Sequence, residues 1–273
     1  MMIGDFHVHT QYCQHGANDR MEAYVLQAIK KGFTHLSFTE HAPLPESFID
    51  PAPGRDSAMD RNAVEAYVME GKALQAQYKN DLQIKIGFEV DYIRGFEQET
   101  QTFLDTYGAE MDDGILSVHM LQAPNEAYFC IDYSKEEFGR AADEFGGLLS
   151  LYKAYYDNLI ASIEAELGSF KPSRIGHMTL VQKFQLAYPQ PADFSKEQQY
   201  ILELIKEKGY ELDVNTAGLS KPFCKEIYPS PQLIEKAVQL DIPLVPGSDS
   251  HAASSIGKAF EELSAYPLTL PRK

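Results

Sequence analysis

The chain alternates between two hydrophobic periods, and that alternation predicts its layout. Short apolar runs of strand length are separated by stretches in which apolar residues recur three and four positions apart. The first run, Met2 to Phe6, predicts a strand. "NDRMEAYVLQAIKKG" then reads as a helix, with Asn18 or Asp19 as its cap, Tyr24, Val25, Ala28 and Ile29 on one face, and Gly32 as its stop. "THLSFTEH" is the next strand. A polar, proline-rich loop from Ala42 to about Ser57 follows, long enough to suggest a function. "RNAVEAYVMEGKALQAQY" predicts a helix, "LQIKIGFEVDY" a strand, "GFEQETQTFLDTYG" a helix and "GILSVHM" a strand. One or two helices cover about Lys135 to Leu167, and "SRIGHM" is a strand. Two helix–strand repeats follow, ending in "ELDVN" and "PLVPGSDSH", and a last helix is expected to start near Ala252.

Seven strands with helices between them predict parallel strands joined by helical crossovers. A closed or nearly closed barrel suits 273 residues. No glycine-rich dinucleotide loop follows the first strand, which argues against a Rossmann domain.

Composition narrows the class. With 44% hydrophobic and 23% charged residues the chain is globular and long enough to bury a large core. It has no apolar run of about 18 residues, so no membrane span is expected. Its first residues lack the basic segment and long apolar stretch of a signal peptide. Three cysteines, Cys13, Cys130 and Cys224, show no paired spacing, which points to a reducing, cytoplasmic setting. Cys13 reads as a bystander thiol despite its histidine neighbours. The net charge of −16 repels phosphate backbones, so a nucleic-acid partner is not expected. Bound cations would offset that charge locally.

Histidine placement changes the picture most. Three of the eight histidines fall in "HVHTQYCQH", directly after the first strand. The second strand ends in Glu40-His41, the third carries Glu89 and Asp91, the fourth ends at His119 and the fifth at His177. The sixth ends near Asn215, and the seventh delivers Asp249 and His251. In a parallel barrel all strand C-termini share one face, where sites form. His7 and His9, two apart on a strand, point to the same side. Only His35 lies away from a strand end, and it reads as an ordinary surface or core residue. Imidazoles and carboxylates gathered this way suit transition-metal ions, with a carboxylate able to bridge two of them. Competing motifs are weak. "GSDSH" lacks a nucleophile elbow, and Cys130-Ile131-Asp132 has no base nearby in sequence.

The ordered set "DFHVHTQYCQHG", "FTEH", "GFEVDY", "SVH", "RIGHM", "NTAG" and "PGSDSH" resembles the PHP (polymerase and histidinol phosphatase) superfamily. "YCQHG", "GFEVDYI" and "NTAGLSKP" followed by "YPS" are similar to its histidinol-phosphatase branch. The resemblance implies an α/β fold, a distorted seven-stranded (β/α)7 barrel with a metal centre at the C-terminal ends of the strands. It implies that residues 1–273 form a single domain of this kind. It also implies two or three divalent ions, zinc, manganese or iron. One would bind His7, His9, Glu89 and Asp249; a second would share Glu89 and add His119 and His177; a third would use His15, His41 and His251. Ser220 stands where many relatives carry a basic residue, with Lys221 beside it.

The activity the resemblance implies is hydrolysis of L-histidinol phosphate to L-histidinol and phosphate, a step of histidine biosynthesis. Such ions supply hydroxide at neutral pH and neutralise phosphoryl charge. Glu89, Asp249 and His251 are the candidate catalytic residues, the last two for assisting the leaving alkoxide. Arg174, Lys183, Lys221 and Arg94 are candidate phosphate clamps. Glu46 and Asp50, in the 42–57 loop, are candidates for meeting the substrate amine. The partner expected is thus a small phosphorylated molecule, with no membrane and no nucleic acid. The alternative is a phosphoesterase acting on another small phosphate ester, such as a nucleotide or sugar phosphate. A nuclease role ranks third, and a non-catalytic scaffold would be expected to lose ligands that are all present here.

Overall fold

A computed structural model describes residues 3–272. Seven strands form one parallel sheet: β1 (Gly4–Asp5), β2 (His35–His41), β3 (Gln83–Asp91), β4 (Asp113–Ser117), β7 (Arg174–Ile175), β8 (Glu211–Asn215) and β9 (Leu244–Gly247), adjacent in that order. A separate antiparallel hairpin, β5 (Met120–Gln122) and β6 (Tyr128–Cys130), follows β4. The helices are α1 (Met21–Lys30), α2 (Val64–Tyr78), α3 (Glu97–Tyr107), α4 (Lys135–Glu144), α5 (Leu148–Glu164), α6 (Ser195–Lys208), the short α7 (Ala217–Ser220) and α8 (Pro231–Gln239).

The sheet closes on itself through irregular backbone bonds between the first and last strands. Phe6 N–H donates to Pro246 O (3.0 Å) and His9 N–H to Ser250 O (2.9 Å). Asp5 reinforces the seam: its carboxylate accepts from the Ser248 N–H (3.0 Å), the Ser248 hydroxyl and the Gly257 N–H (2.7 Å). That role for the aspartate of "DFHVH" has no periodic signal in the sequence.

The period-2 alternation of the strands explains both faces of the barrel. Leu36, Phe38, Ile86, Phe88, Leu116, Ile175, Leu212 and Val214 belong to the main apolar core. Their alternates Ser37, Thr39, His41, Glu89, Ser117, Arg174, Asp213 and Asn215 are polar yet equally buried. The barrel therefore has an apolar layer under its helices and a polar lumen.

Several elements depart from expectation. Met2, placed in the first strand, lies outside the described residues, and the regular strand is Gly4–Asp5. The strand in "SRIGHM" is only Arg174–Ile175. Neither Asn18 nor Asp19 caps α1; Arg20 occupies that position, and the Asp19 carboxylate instead accepts from the Ala253 N–H (2.9 Å). No α-helix starts near Ala252; two 3-10 turns, Ala253–Ser255 and Phe260–Leu263, stand there. The β5–β6 hairpin was not anticipated, because three-residue strands leave almost no periodic trace.

Candidate metal centre

The C-terminal ends of the strands bring together seven imidazoles around Glu89. His7 and His9 leave β1 on the same side and are fully buried. Gly247 makes room for them: a Cβ there would come within 2.5 Å of the His7 Cβ. His41 ends β2, and Glu89 stands on β3 two residues before its end. His119 and His177 follow β4 and β7. Gly176, just before His177, is needed because a Cβ would meet the Ser117 hydroxyl at 2.2 Å. Asp249 and His251 follow β9. Asp249 adopts a left-handed backbone (φ 51°), a conformation aspartate tolerates better than most residues, and the chain turns there.

Glu89 is the hub. Its Oε1 lies 2.9 Å from His177 Nε2 and accepts from the Ser117 hydroxyl at 2.6 Å. Its Oε2 lies 3.2 Å from both His7 Nε2 and His41 Nδ1, and 3.4 Å from His9 Nε2. Each carboxylate oxygen thus faces its own set of imidazoles. Burial alone would raise the Glu89 pKa, but His7, His119, His177 and His41 outweigh it and hold the carboxyl well below its usual range.

Outer hydrogen bonds orient the rings. Nδ1 of His7 meets the Asp213 carboxylate (2.9 Å), that of His9 meets Glu40 (3.3 Å), and that of His119 meets Asp91 (2.7 Å). Nδ1 of His15 and of His251 meet backbone carbonyls, Asp56 O at 2.7 Å and Asp249 O at 3.1 Å. Every one of these partners is an acceptor, so each Nδ1 carries a proton and each Nε2 points inward. The inward atoms then crowd each other: His119 Nε2 lies 3.2 Å from His177 Nε2, and His15 Nε2 lies 3.0 Å from His251 Nε2. Facing lone pairs and carboxylates repel unless positive charge sits between them. At His9 and His119 protons can supply it, whereas burial and the neighbouring His9 hold His41 and His251 well below the usual imidazole range. Burial lowers the pKa of His9, but Asp249 and Glu40 outweigh it and raise it to about 9. Burial likewise opposes Asp91 and Glu89 at His119, which rises to about 10. Metal ions fit the same positions, and in four groups within this set one ligand atom from each residue lies within 4.8 Å of the others.

The nine residues expected as ligands therefore converge. Seven line a cavity of about 890 Å³, while His7 and His9 lie beneath its floor. Lys183 and Lys221 also line it. Lys183 is gripped by Asp132 at 2.8 Å, and Lys258, not singled out from the sequence, stands on the same wall.

Two expected phosphate clamps are corrected. Arg174 is fully buried at the opposite end of the barrel, where its Nη2 donates to Asp113 Oδ2 (3.0 Å) and Phe6 O (2.9 Å). It begins β7, and Ile175 and Gly176 separate it from His177, which follows the strand's C-terminal end. Arg94 is exposed and its Nη2 reaches Asp157 O at 3.4 Å, outside the cavity lining. The 42–57 loop is corrected as well. Glu46 is exposed, and Asp50 braces the loop itself, accepting from Ala52 N–H, Ser57 N–H and the Ser57 hydroxyl. The loop's contributions to the cavity are Asp56 and Ser57.

Sequence reading missed Asp213. It selected Asn215 at the end of β8, whereas the residue two earlier, on the same lumen face, orients His7. The available signal was a carboxylate alternating with apolar residues inside a buried strand. Asp213→Asn is expected to weaken metal binding about 10- to 100-fold while the barrel stays folded. A competitive chelator titration checks this, and unchanged affinity would show that His7 needs no such support.

Comparison with known proteins agrees with the geometry. The PHP domain model matches residues 5–217. A histidinol-phosphatase of Bacillus subtilis is 45% identical, covering 96% of this chain and 98% of that protein. A probable histidinol-phosphatase of Deinococcus radiodurans is 31% identical over 94% of this chain and 90% of its own length. The crystal structure of a candidate histidinol phosphatase from Listeria monocytogenes superposes with a TM-score of 0.89 at 39% identity, covering 94% of this chain and 98% of that one. The Lactococcus lactis histidinol phosphate phosphatase, solved with zinc, L-histidinol and phosphate, shares the fold (TM-score 0.68, 23% identity, 98% and 96% coverage).

Proposed function

This chain belongs to the PHP domain family, and from that premise we propose that it is a histidinol-phosphatase, a metal-dependent enzyme that hydrolyses L-histidinol phosphate to L-histidinol and phosphate. The observation that carries this reading is the inward convergence of imidazole Nε2 atoms on a carboxylate hub, at the floor of a cavity walled by lysines. The 45% identity to the Bacillus enzyme over nearly the whole of both chains narrows the substrate.

In this reading His7, His9, Glu89 and Asp249 would hold one ion, Glu89, His119 and His177 a second, and His15, His41 and His251 a third. Zinc, manganese and iron all suit these donors. When bound, such ions lower the pKa of water toward neutrality and neutralise charge on phosphoryl oxygens.

The chain's own residues do the rest. Glu89 and Asp249 stay ionised, Glu89 as the carboxylate that would be shared by two ions and Asp249 as a ligand of one. At Asp249 burial is outweighed by His7, His9 and His251, so its carboxyl lies well below the usual range. His251 has its Nδ1 proton committed to Asp249 O, and its Nε2 faces His15, so it orients and does not donate a proton. Lys183 and Lys221, with Lys258, supply the positive wall that an acidic protein needs to attract a phosphate dianion. Asp132 fixes Lys183, and at that lysine its charge outweighs burial and raises the pKa. Burial and the neighbouring Lys183 lower that of Lys221. The cavity volume is of the size that encloses a small metabolite. A cytoplasmic location fits a biosynthetic role.

Histidinol phosphate carries a cationic amine as well as its phosphate. A nucleoside monophosphate lacks that amine and adds bulk. kcat/KM should favour histidinol phosphate by at least about 100-fold, roughly 2.7 kcal/mol of transition-state discrimination. Steady-state phosphate release from a panel of esters, with metal-loaded enzyme, measures this. Equal or better turnover of a nucleoside monophosphate would transfer the assignment to a phosphoesterase of another small phosphate.

A further inference from the structure

The outermost donor group contains a residue that the three-imidazole set does not use. Cys13 stands with His15, His41 and His251, all four donor atoms lying within 4.8 Å of one another. Among the described residues it is the one such group with four members, and the one that contains sulfur. The other groups combine imidazoles and carboxylates.

The local chain explains how sulfur arrives there. Cys13 N–H donates to Thr10 O (3.1 Å) and Gly16 N–H to Cys13 O (3.2 Å), so residues 10–16 form a compact double turn. That turn presents Cys13 and His15 together toward His41 at the end of β2 and His251 beyond β9. Cys13 is buried, with 4% of its surface exposed; burial and the Glu40 charge push its thiol pKa up, while the backbone N–H groups of His15 and Gly16 face its sulfur and act the other way. Amide donors stabilise a negative sulfur as they do any anion.

Two independent features of the same group demand a cation. His15 Nε2 and His251 Nε2 approach to 3.0 Å, and each ring's Nδ1 is already committed to a backbone carbonyl. His41 is itself 93% buried, and its Nδ1, although 3.2 Å from Glu89 Oε2, makes no hydrogen bond among the described residues.

We propose that Cys13 is the fourth donor of the outer metal ion, giving a site of three imidazoles and one thiolate. The inference rests on the metal-dependent reading above and adds to it a chemical difference between the ions. On binding, the thiol gives its proton to solvent and sulfur donates to the metal. Thiolate is soft, and a set of three nitrogens and one sulfur matches tetrahedral zinc; manganese prefers oxygen donors. The outer position should therefore select zinc, and the inner, carboxylate-bridged positions should be more permissive.

Cobalt(II) tests this directly, because a cobalt–thiolate bond gives a near-ultraviolet charge-transfer band that imidazole and carboxylate ligands do not. The full chain is stripped with chelator and titrated with cobalt while absorption and bound cobalt are followed. The expected result is a sulfur-to-cobalt band whose amplitude corresponds to one equivalent. Cys13→Ser should abolish the band and weaken one cobalt equivalent by at least about tenfold. Cys130→Ser and Cys224→Ser should keep it. Cobalt bound at full stoichiometry without the band in the unaltered protein overturns the Cys13 assignment and leaves the metal-dependent reading standing. A band that survives Cys13→Ser overturns it equally. Failure to bind cobalt at all overturns both.

Discussion

Replacing Glu89 by glutamine is expected to reduce kcat by at least about a thousand-fold and to lower the bound metal content, while the barrel remains folded. The amide is nearly isosteric with the carboxylate, so packing around this 2%-exposed side chain changes little. What changes is charge and donor character. One oxygen becomes an NH2 group, a hydrogen-bond donor that cannot ligate. Whichever way the amide turns, one of the two imidazole sets around Glu89 loses its anionic partner: His177 and His119 on one side, or His7, His9 and His41 on the other. A bridging ligand serves two ions, so its loss separates them and removes much of the charge stabilisation on which phosphoryl transfer depends. Metal analysis, circular dichroism and turnover on the same preparation measure the three effects. A variant with full metal content and full kcat would rule out the bridging role.

The second large effect concerns stability. Asp113→Ala is expected to destabilise the protein by roughly 3–5 kcal/mol, because it leaves a buried guanidinium without its counter-ion. Arg174 is fully enclosed in the barrel lumen, and its only hydrogen bonds among the described residues are through Nη2, to Asp113 and Phe6 O. Glu211 stands near but is occupied by the backbone N–H of Arg272 at 3.1 Å. Arg174→Met combined with Asp113→Leu should recover most of the loss, since removing both charges spares their desolvation. Urea unfolding of the single and double variants measures this. Neither should change KM for the phosphate ester by more than about twofold at temperatures where the protein is folded, because the pair lies at the far end of the barrel from the cavity. An unchanged unfolding midpoint together with a large rise in KM would return Arg174 to the phosphate site.

Much of this molecule was determined by local sequence. The strand–helix alternation specified a parallel barrel, since strands that run the same way need helical crossovers. The histidines and carboxylates at strand ends announced the metal centre, because a parallel barrel delivers all its strand C-termini to one face. His7 and His9 share a side of β1 for the simplest reason, the period of two. Tertiary structure alone decided the rest. Whether a cation faces the cavity depends on where along a strand it sits: Arg174 and His177 are three residues apart, yet one plugs the lumen and the other reaches the hub. Asp50 and Asp56 share a loop, but hydrogen bonds to Ala52 and Ser57 turn the first inward on the loop while the second lines the cavity. Asp213, Glu40 and Asp91 orient imidazoles from other strands, the first across 206 positions of sequence, and nothing local distinguishes such a carboxylate from a ligand. Cys13 gathers with His41 because β1 lies beside β2, and with His251 because the first and last strands meet at the barrel seam. Periodicity records which face of an element a side chain occupies; the height of that side chain within the barrel, and the partner it meets there, follow from the register between neighbouring strands and from closure, and closure is set by contacts between residues more than two hundred positions apart.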